Sequence, residues 1–72
     1  MENRFEIYPN PADDVLYIKS NEDVKEINVY NIYGIKMTTV NGQSTTAIDM
    51  SGFNSGIYFV EIDRNIFRII RN

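Results

Sequence analysis

Carboxylates, hydroxyls and aromatic rings are the side chains of this 72-residue chain that could do chemistry, because cysteine and histidine are both absent. The chain therefore has no thiolate nucleophile, no imidazole base, no disulfide and no zinc site of the usual ligands. Acidic pairs occur at Asp13-Asp14 and Glu22-Asp23, and calcium takes oxygen ligands of this kind from loops. Neither pair has the D-x-D-x-D-G spacing of a calcium loop. We expect solvated turns, with no metal and no cofactor.

The same carboxylates are not expected to catalyse a reaction. General acid-base catalysis needs two carboxyl groups that flank a substrate, and adjacent residues of one exposed turn cannot do so. Ser51 and Ser55 each lie beside a glycine, but neither is part of a G-x-S-x-G elbow. A chain of this length buries about 60% of its unfolded surface, enough for one thin core without a deep active site. The sequence predicts one domain, residues 1–72, that is not an enzyme.

Charge and hydropathy limit the partners of the chain. Seven Lys and Arg residues stand against ten Asp and Glu residues, for a net charge of −3. Without a basic run, binding to a nucleic-acid backbone is not expected. The first five residues lack the apolar segment of a signal peptide, and no window approaches the ~18 apolar residues of a membrane span. The chain is thus either cytosolic or a piece of a longer secreted protein.

The aliphatic composition predicts an all-β fold. There are eleven Ile and five Val but one Leu and two Ala, and β-branched residues favour strands. Turn signals recur every ~8–12 residues, as in small sandwiches and barrels. Period-two alternation then predicts seven strands in two packed sheets, at residues 4–8, 15–20, 26–31, 35–40, 45–49, 57–62 and 66–70. In the most apolar of them, Tyr58 lies on the same face as Val60 and Ile62, and we expect it in the core.

Turn residues predict how these strands are connected. Pro9-Asn10-Pro11 has two fixed φ angles and should form a corner after the first strand. Asn21-Glu22-Asp23 and Asp63-Arg64-Asn65 are polar turns, and a tight turn is expected at Tyr33-Gly34. Asn41-Gly42 is a strong hairpin signal and predicts that strands 35–40 and 45–49 pair with each other. Gly34 and Gly56 are expected to supply backbone angles that other residues avoid.

Several of these turns fall into one ordered pattern. It consists of Tyr8-Pro9-Asn10-Pro11, Leu16-x-Ile18, the stretch 27–34 ending in Tyr33-Gly34 with Lys36 behind it, the stretches 48–53 and 55–60, and Arg68-Ile69-Ile70 at the end. The pattern resembles the type A C-terminal sorting domain of cargo proteins of the type IX secretion system of Bacteroidetes, over residues 8–72. The resemblance implies an immunoglobulin-like β-sandwich without catalytic residues. Where the family usually has a lysine in the last strand, this chain has Arg68, which keeps the charge but changes its geometry.

The resemblance also implies a function and partners. Such a domain directs an attached cargo from the periplasm through the outer-membrane translocon, to the cell surface or the medium, and a sortase-like peptidase commonly removes it. The cargo domain would precede this chain in a longer protein. We expect a monomer or weak dimer, with Arg68 and Arg71 as exposed charges for recognition. The alternative is an adhesion or carbohydrate-binding module that uses exposed tyrosines, with Tyr17, Tyr30 and Tyr33 as the candidates.

Overall fold

Seven strands make up the regular structure of the chain in a computed structural model that describes residues 5–20, 26–42 and 45–72. The strands are β1 Phe5–Tyr8, β2 Val15–Ser20, β3 Ile27–Tyr30, β4 Lys36–Val40, β5 Thr45–Asp49, β6 Gly56–Ile62 and β7 Asn65–Arg71. They agree with the predicted strands to within one residue at each end. Among the described residues there is no helix long and apolar enough to cross a membrane.

The strands form two antiparallel sheets, one of three strands in the order β1-β2-β5 and one of four in the order β4-β3-β6-β7. Every named strand pair is antiparallel, and a short parallel bridge joins Ala12 to Arg71 outside them. This architecture confirms the predicted all-β sandwich of seven strands.

The core lies between the inner faces of the two sheets. Strand alternation places there the residues Leu16 and Ile18 from β2, Ile27 and Val29 from β3, Ile48 from β5, Tyr58, Val60 and Ile62 from β6, and Ile69 from β7. Tyr58 is 6% exposed, so its predicted core position is confirmed. At the margin, the rings of Phe5 and Phe67 from different sheets meet edge to face, with centroids 5.9 Å apart.

The predicted hairpin at Asn41-Gly42 is wrong. β4 pairs with β3, whereas β5 pairs with β2, so the chain crosses here from one sheet to the other. Asn-Gly favours a reversal of the chain, but the reversal can lead either to the next strand or across the sandwich. Alternation cannot separate these outcomes, because β4 and β5 bury one face in both cases.

The other predicted turns that lie among the described residues are in place. β3 and β4 form a hairpin around Tyr33-Gly34, and β6 and β7 form one around Asp63 and Arg64. Ile62 pairs with Asn65, so the second loop has two residues, with φ of 48° at Asp63 and 74° at Arg64. The turn predicted at residues 21–23 lies outside the described residues.

Candidate recognition surfaces

The first acidic pair binds other parts of the same chain. Asn72 Nδ2 donates to Asp13 Oδ1 at 2.9 Å, and Arg71 Nη2 forms an ion pair with Asp14 Oδ1 at 3.3 Å. Within residues 5–20, 26–42 and 45–72, no group of three or more acidic side chains is placed to hold a metal ion. The second pair, Glu22-Asp23, lies outside the described residues.

The Pro9-Asn10-Pro11 corner lies against the outer edge of the last strand. The Ile70 amide donates to Asn10 Oδ1 at 3.0 Å, and Asn10 Nδ2 donates to the Arg68 carbonyl at 3.4 Å. The pairing continues through Ala12, whose amide donates to the Ile70 carbonyl at 2.7 Å and whose carbonyl accepts from the Asn72 amide at 2.8 Å. Both prolines are exposed. The corner thus covers an edge that would otherwise have unpaired backbone groups.

Arg71 lies next to this corner, on the inner side of the last strand. The expectation that its charge is exposed is wrong. Its side chain is 13% exposed, and its Nε donates to the carbonyl of the fully buried Met50 at 3.0 Å. The Met50 amide in turn donates to the Asp14 carbonyl at 2.7 Å. We call residues 10–14, Met50 and 68–72 the C-terminal seam, since they join both sheets to the end of the chain. Arg68 is exposed, as predicted.

The side chain of Asn31 accepts two hydrogen bonds within the β3–β4 turn. Asn31 Oδ1 accepts hydrogen bonds from the amides of Tyr33 at 2.9 Å and Ile35 at 3.0 Å. The Gly34 amide donates to the Asn31 carbonyl at 3.0 Å, and Gly34 has φ of 78°, a region that favours glycine. These hydrogen bonds define the backbone of the turn, on which Tyr33 is 81% and Ile32 60% exposed.

The second motif with a glycine lies beside this turn. Tyr58 donates its hydroxyl to the Asn54 carbonyl at 2.7 Å, and its ring contacts that of Phe53 with centroids 5.3 Å apart. Gly56 has φ of 146°, so the expectation of unusual backbone angles is confirmed at both glycines. The loop and the β3–β4 turn together line an open cleft of about 250 Å³, so the structure brings these two motifs together.

The three candidate tyrosines lie in different environments. Tyr33 is at the tip of the β3–β4 turn, and Tyr17 is 40% exposed on the three-stranded sheet, stacked on Tyr8 with centroids 5.7 Å apart. Tyr30 is half-buried and donates its hydroxyl to Glu61 Oε1 at 3.2 Å. Burial, that hydrogen bond and the nearby negative charge raise the pKa of Tyr30 above its usual value. The three do not form one aromatic strip.

Sequence reasoning missed the exposed aliphatic residues. Ile66 is 64% exposed, and Ile57 and Ile70 are each 37% exposed, on the outer face of β6 and β7. A signal was present, because β6 and β7 are apolar at successive positions, whereas a strand with one solvated face alternates. An uninterrupted apolar run in a two-layer fold indicates apolar residues on both faces.

A family model described as a secretion system C-terminal sorting domain matches residues 6–71. The chain belongs to this family. No curated protein matches its sequence.

Membership gives the sorting domain its general role. The family implies a C-terminal signal for type IX secretion, with export to the cell surface or the extracellular space. It is not an enzyme family, and it does not favour the alternative of a carbohydrate-binding module. All the motif residues singled out in the sequence lie inside the matched range. The structure places Asn10, Pro11, Arg68 and Arg71 at the seam, and Gly56 and Tyr58 at the cleft.

Proposed function

We propose that this domain directs an N-terminally attached cargo protein from the periplasm through the type IX outer-membrane translocon, and that a sortase-like peptidase then removes it. The observation that carries the proposal is the family match over residues 6–71. The domain is the substrate of this machinery, and its partners are the translocon and the peptidase.

The fold supports recognition of a folded surface over recognition of an extended peptide. The C-terminal residues are paired with residues 10–14 and with Met50, so an extended tail would have to break these contacts first. Exposed apolar residues on β6, β7 and the β3–β4 turn provide the area that a protein partner would contact. We infer that the translocon binds the sandwich as a unit.

A secretion assay tests the proposal. The 72-residue chain is fused to the C-terminus of a reporter that carries a signal peptide, and the reporter is measured in the medium, on the cell surface and in the periplasm of a host with a type IX system. We expect export by this host and periplasmic retention in an isogenic host that lacks the translocon. The reporter without the domain is the control. Retention of the intact fusion in the proficient host would refute the sorting function.

The removal step needs a separate measurement. The mass of the exported reporter should lack the domain in the proficient host and include it in a host without the peptidase. Equal masses in the two hosts would refute removal, while leaving export unaffected.

A further inference from the structure

The outer face of the four-stranded sheet carries apolar residues that lie outside the core. Alternation points Tyr58, Val60 and Ile69 into the core, and it points their neighbours outward. The cross-strand pairs are Ile57 with Ile70, Phe59 with Arg68 and Glu61 with Ile66. We call Ile57, Phe59, Ile66, Arg68 and Ile70 the recognition face. Exposed apolar residues that are contiguous on a small domain indicate a contact surface for another molecule.

A positive charge lies at the centre of this face. Arg68 lies between Ile66 and Ile70 along β7 and opposite Phe59 on β6. It is exposed, and with the described part of the chain its guanidinium forms no hydrogen bond or ion pair. A partner that covers the apolar residues would also cover this charge, and a buried charge requires an opposite charge with hydrogen bonds.

The neighbouring carboxylate does not meet that requirement. Glu61 Oε1 accepts from Asn28 Nδ2 at 3.1 Å and from the Tyr30 hydroxyl at 3.2 Å. Thr39 supports the arrangement by donating to Asn28 Oδ1 at 2.8 Å. These donors hold Glu61 Oε1 beside Asn28 and Tyr30, and within the described residues no ion pair joins Glu61 to Arg68.

We propose that the recognition face docks onto a protein surface of the secretion machinery that presents a carboxylate framed by apolar side chains. This inference rests on the proposed sorting function and assigns that function to one face. The carboxylate binds the Arg68 guanidinium through two hydrogen bonds, a geometry for which arginine is suited. The aliphatic side chains around it exclude water and strengthen the pair.

Two other occupants fit the face less well. In a symmetric contact with a second copy of the chain, two recognition faces would meet, and each would bring Arg68 but no carboxylate. An anionic membrane attracts clusters of basic residues, whereas this face has Arg68 at its centre and the chain has a net charge of −3. Charge therefore favours an acidic protein surface.

The size of the face fits a contact that forms and dissociates. β6 and β7 have seven residues each, which is about 23 Å at about 3.3 Å per residue. The two strands are about 10 Å wide, so the face measures roughly 230 Å². Stable complexes bury about 800 Å² per partner. A smaller contact suits a signal that each cargo must leave behind.

The secretion assay with point variants tests the face. Arg68→Gln should lower the exported fraction about tenfold, and Arg68→Glu should lower it further. Arg68→Lys keeps the charge but not the paired hydrogen bonds, and its export should lie between that of Arg68→Gln and that of the original domain. The matched control is Lys19→Gln, an exposed cation on the outer face of the three-stranded sheet, which should be exported like the original domain. Ile66→Thr should also reduce export, and Tyr17→Thr on the other sheet should not. Urea unfolding of each purified variant verifies that it is folded.

The results of this assay distinguish failure of the proposed recognition face from failure of the proposed sorting function. If the original fusion is exported and the Arg68 and Ile66 variants are exported equally, the recognition face is refuted and the sorting function stands. If the original fusion is retained, both fall. Sedimentation equilibrium should show a monomer, and a dimer that dissociates on Arg68→Glu would reassign the face to a second copy. Binding to phosphatidylglycerol vesicles that is lost on Arg68→Gln would reassign it to lipid.

Discussion

Arg68 and Arg71 both lie on β7, yet their side chains have opposite surroundings. Successive side chains of a strand point to opposite faces, so two residues three positions apart cannot share one. Ile69 is buried, which places Arg71 on the inner side and Arg68 on the outer side. The sequence contained this distinction, because alternation alone separates the two arginines. The sequence did not indicate which group accepts a hydrogen bond from Arg71, because Met50 is 21 residues away in the chain.

Replacing Arg71 should therefore cost stability, and replacing Arg68 should not. Arg71→Gln leaves the buried Met50 carbonyl without its charged donor, and we expect the free energy of unfolding to fall by about 1–3 kcal/mol. Arg68→Gln removes an exposed charge and should change it by about 0.5 kcal/mol or less. Urea denaturation followed by far-UV circular dichroism measures both.

Asp14→Asn identifies which contact of Arg71 matters. Asp14 is 76% exposed at its side chain, and exposed ion pairs contribute about 0–1 kcal/mol. A loss on Asp14→Asn as large as that on Arg71→Gln would contradict the assignment to Met50.

At the level of strands and turns, the dipeptide that most favours a hairpin, Asn41-Gly42, does not lie in a hairpin. Asn41-Gly42 leads from one sheet to the other, whereas Asp63 and Arg64 form the two-residue loop of the longest hairpin, both with positive φ. Two-residue hairpin loops of this kind favour Asn-Gly. A dipeptide reports the local backbone preference, but the partner of each strand is decided by packing between distant residues. The strands themselves were predictable, because alternation is local.

Substitutions in the β6–β7 loop should therefore be able to increase the stability of the domain. The double substitution Asp63→Asn and Arg64→Gly relieves the steric cost of positive φ, and we expect about 0.5–1 kcal/mol more stability. Arg64→Ala is the control, since it removes the same side chain but keeps the Cβ atom that causes the cost. Thermal unfolding compares the three chains. A gain from Arg64→Ala equal to that of the double substitution would show that the Arg64 side chain, not its φ angle, is unfavourable.

Over the whole molecule, the order of strands and the seam could not be predicted. Alternation fixes which face of each strand is buried, but it does not say that β2 pairs with β5 or β3 with β6. Within the seam, Asn10 contacts Arg68 and Ile70, which are 58 and 60 positions away in the chain. From the sequence, Pro9-Asn10-Pro11 indicated a corner. That the corner pairs with the last strand follows from the packing of the two sheets.

The contacts of the seam predict that Arg71 and Asn72 contribute to the stability of the fold, in addition to any role in recognition. Deleting Arg71 and Asn72 removes the hydrogen bond to Met50, the pairing of Asn72 with Ala12 and the ion pair with Asp14. We expect a loss of about 2–4 kcal/mol, against a total of about 4–11 kcal/mol for a chain of this size. The truncated domain should show a lower urea midpoint, and its fusion should stay in the periplasm.

Comparison with a point variant and an extended chain separates the two roles. Arg68→Gln should keep the urea midpoint and lose export, whereas the truncation should lose both. Adding Gly-Ser after Asn72 removes none of the contacts of the seam, and it should leave the free energy of unfolding within about 0.5 kcal/mol of the original value. A truncated chain with the original midpoint would mean that the seam contributes little to folding. Lost export by that chain would then assign Arg71 and Asn72 to recognition, in addition to the recognition face.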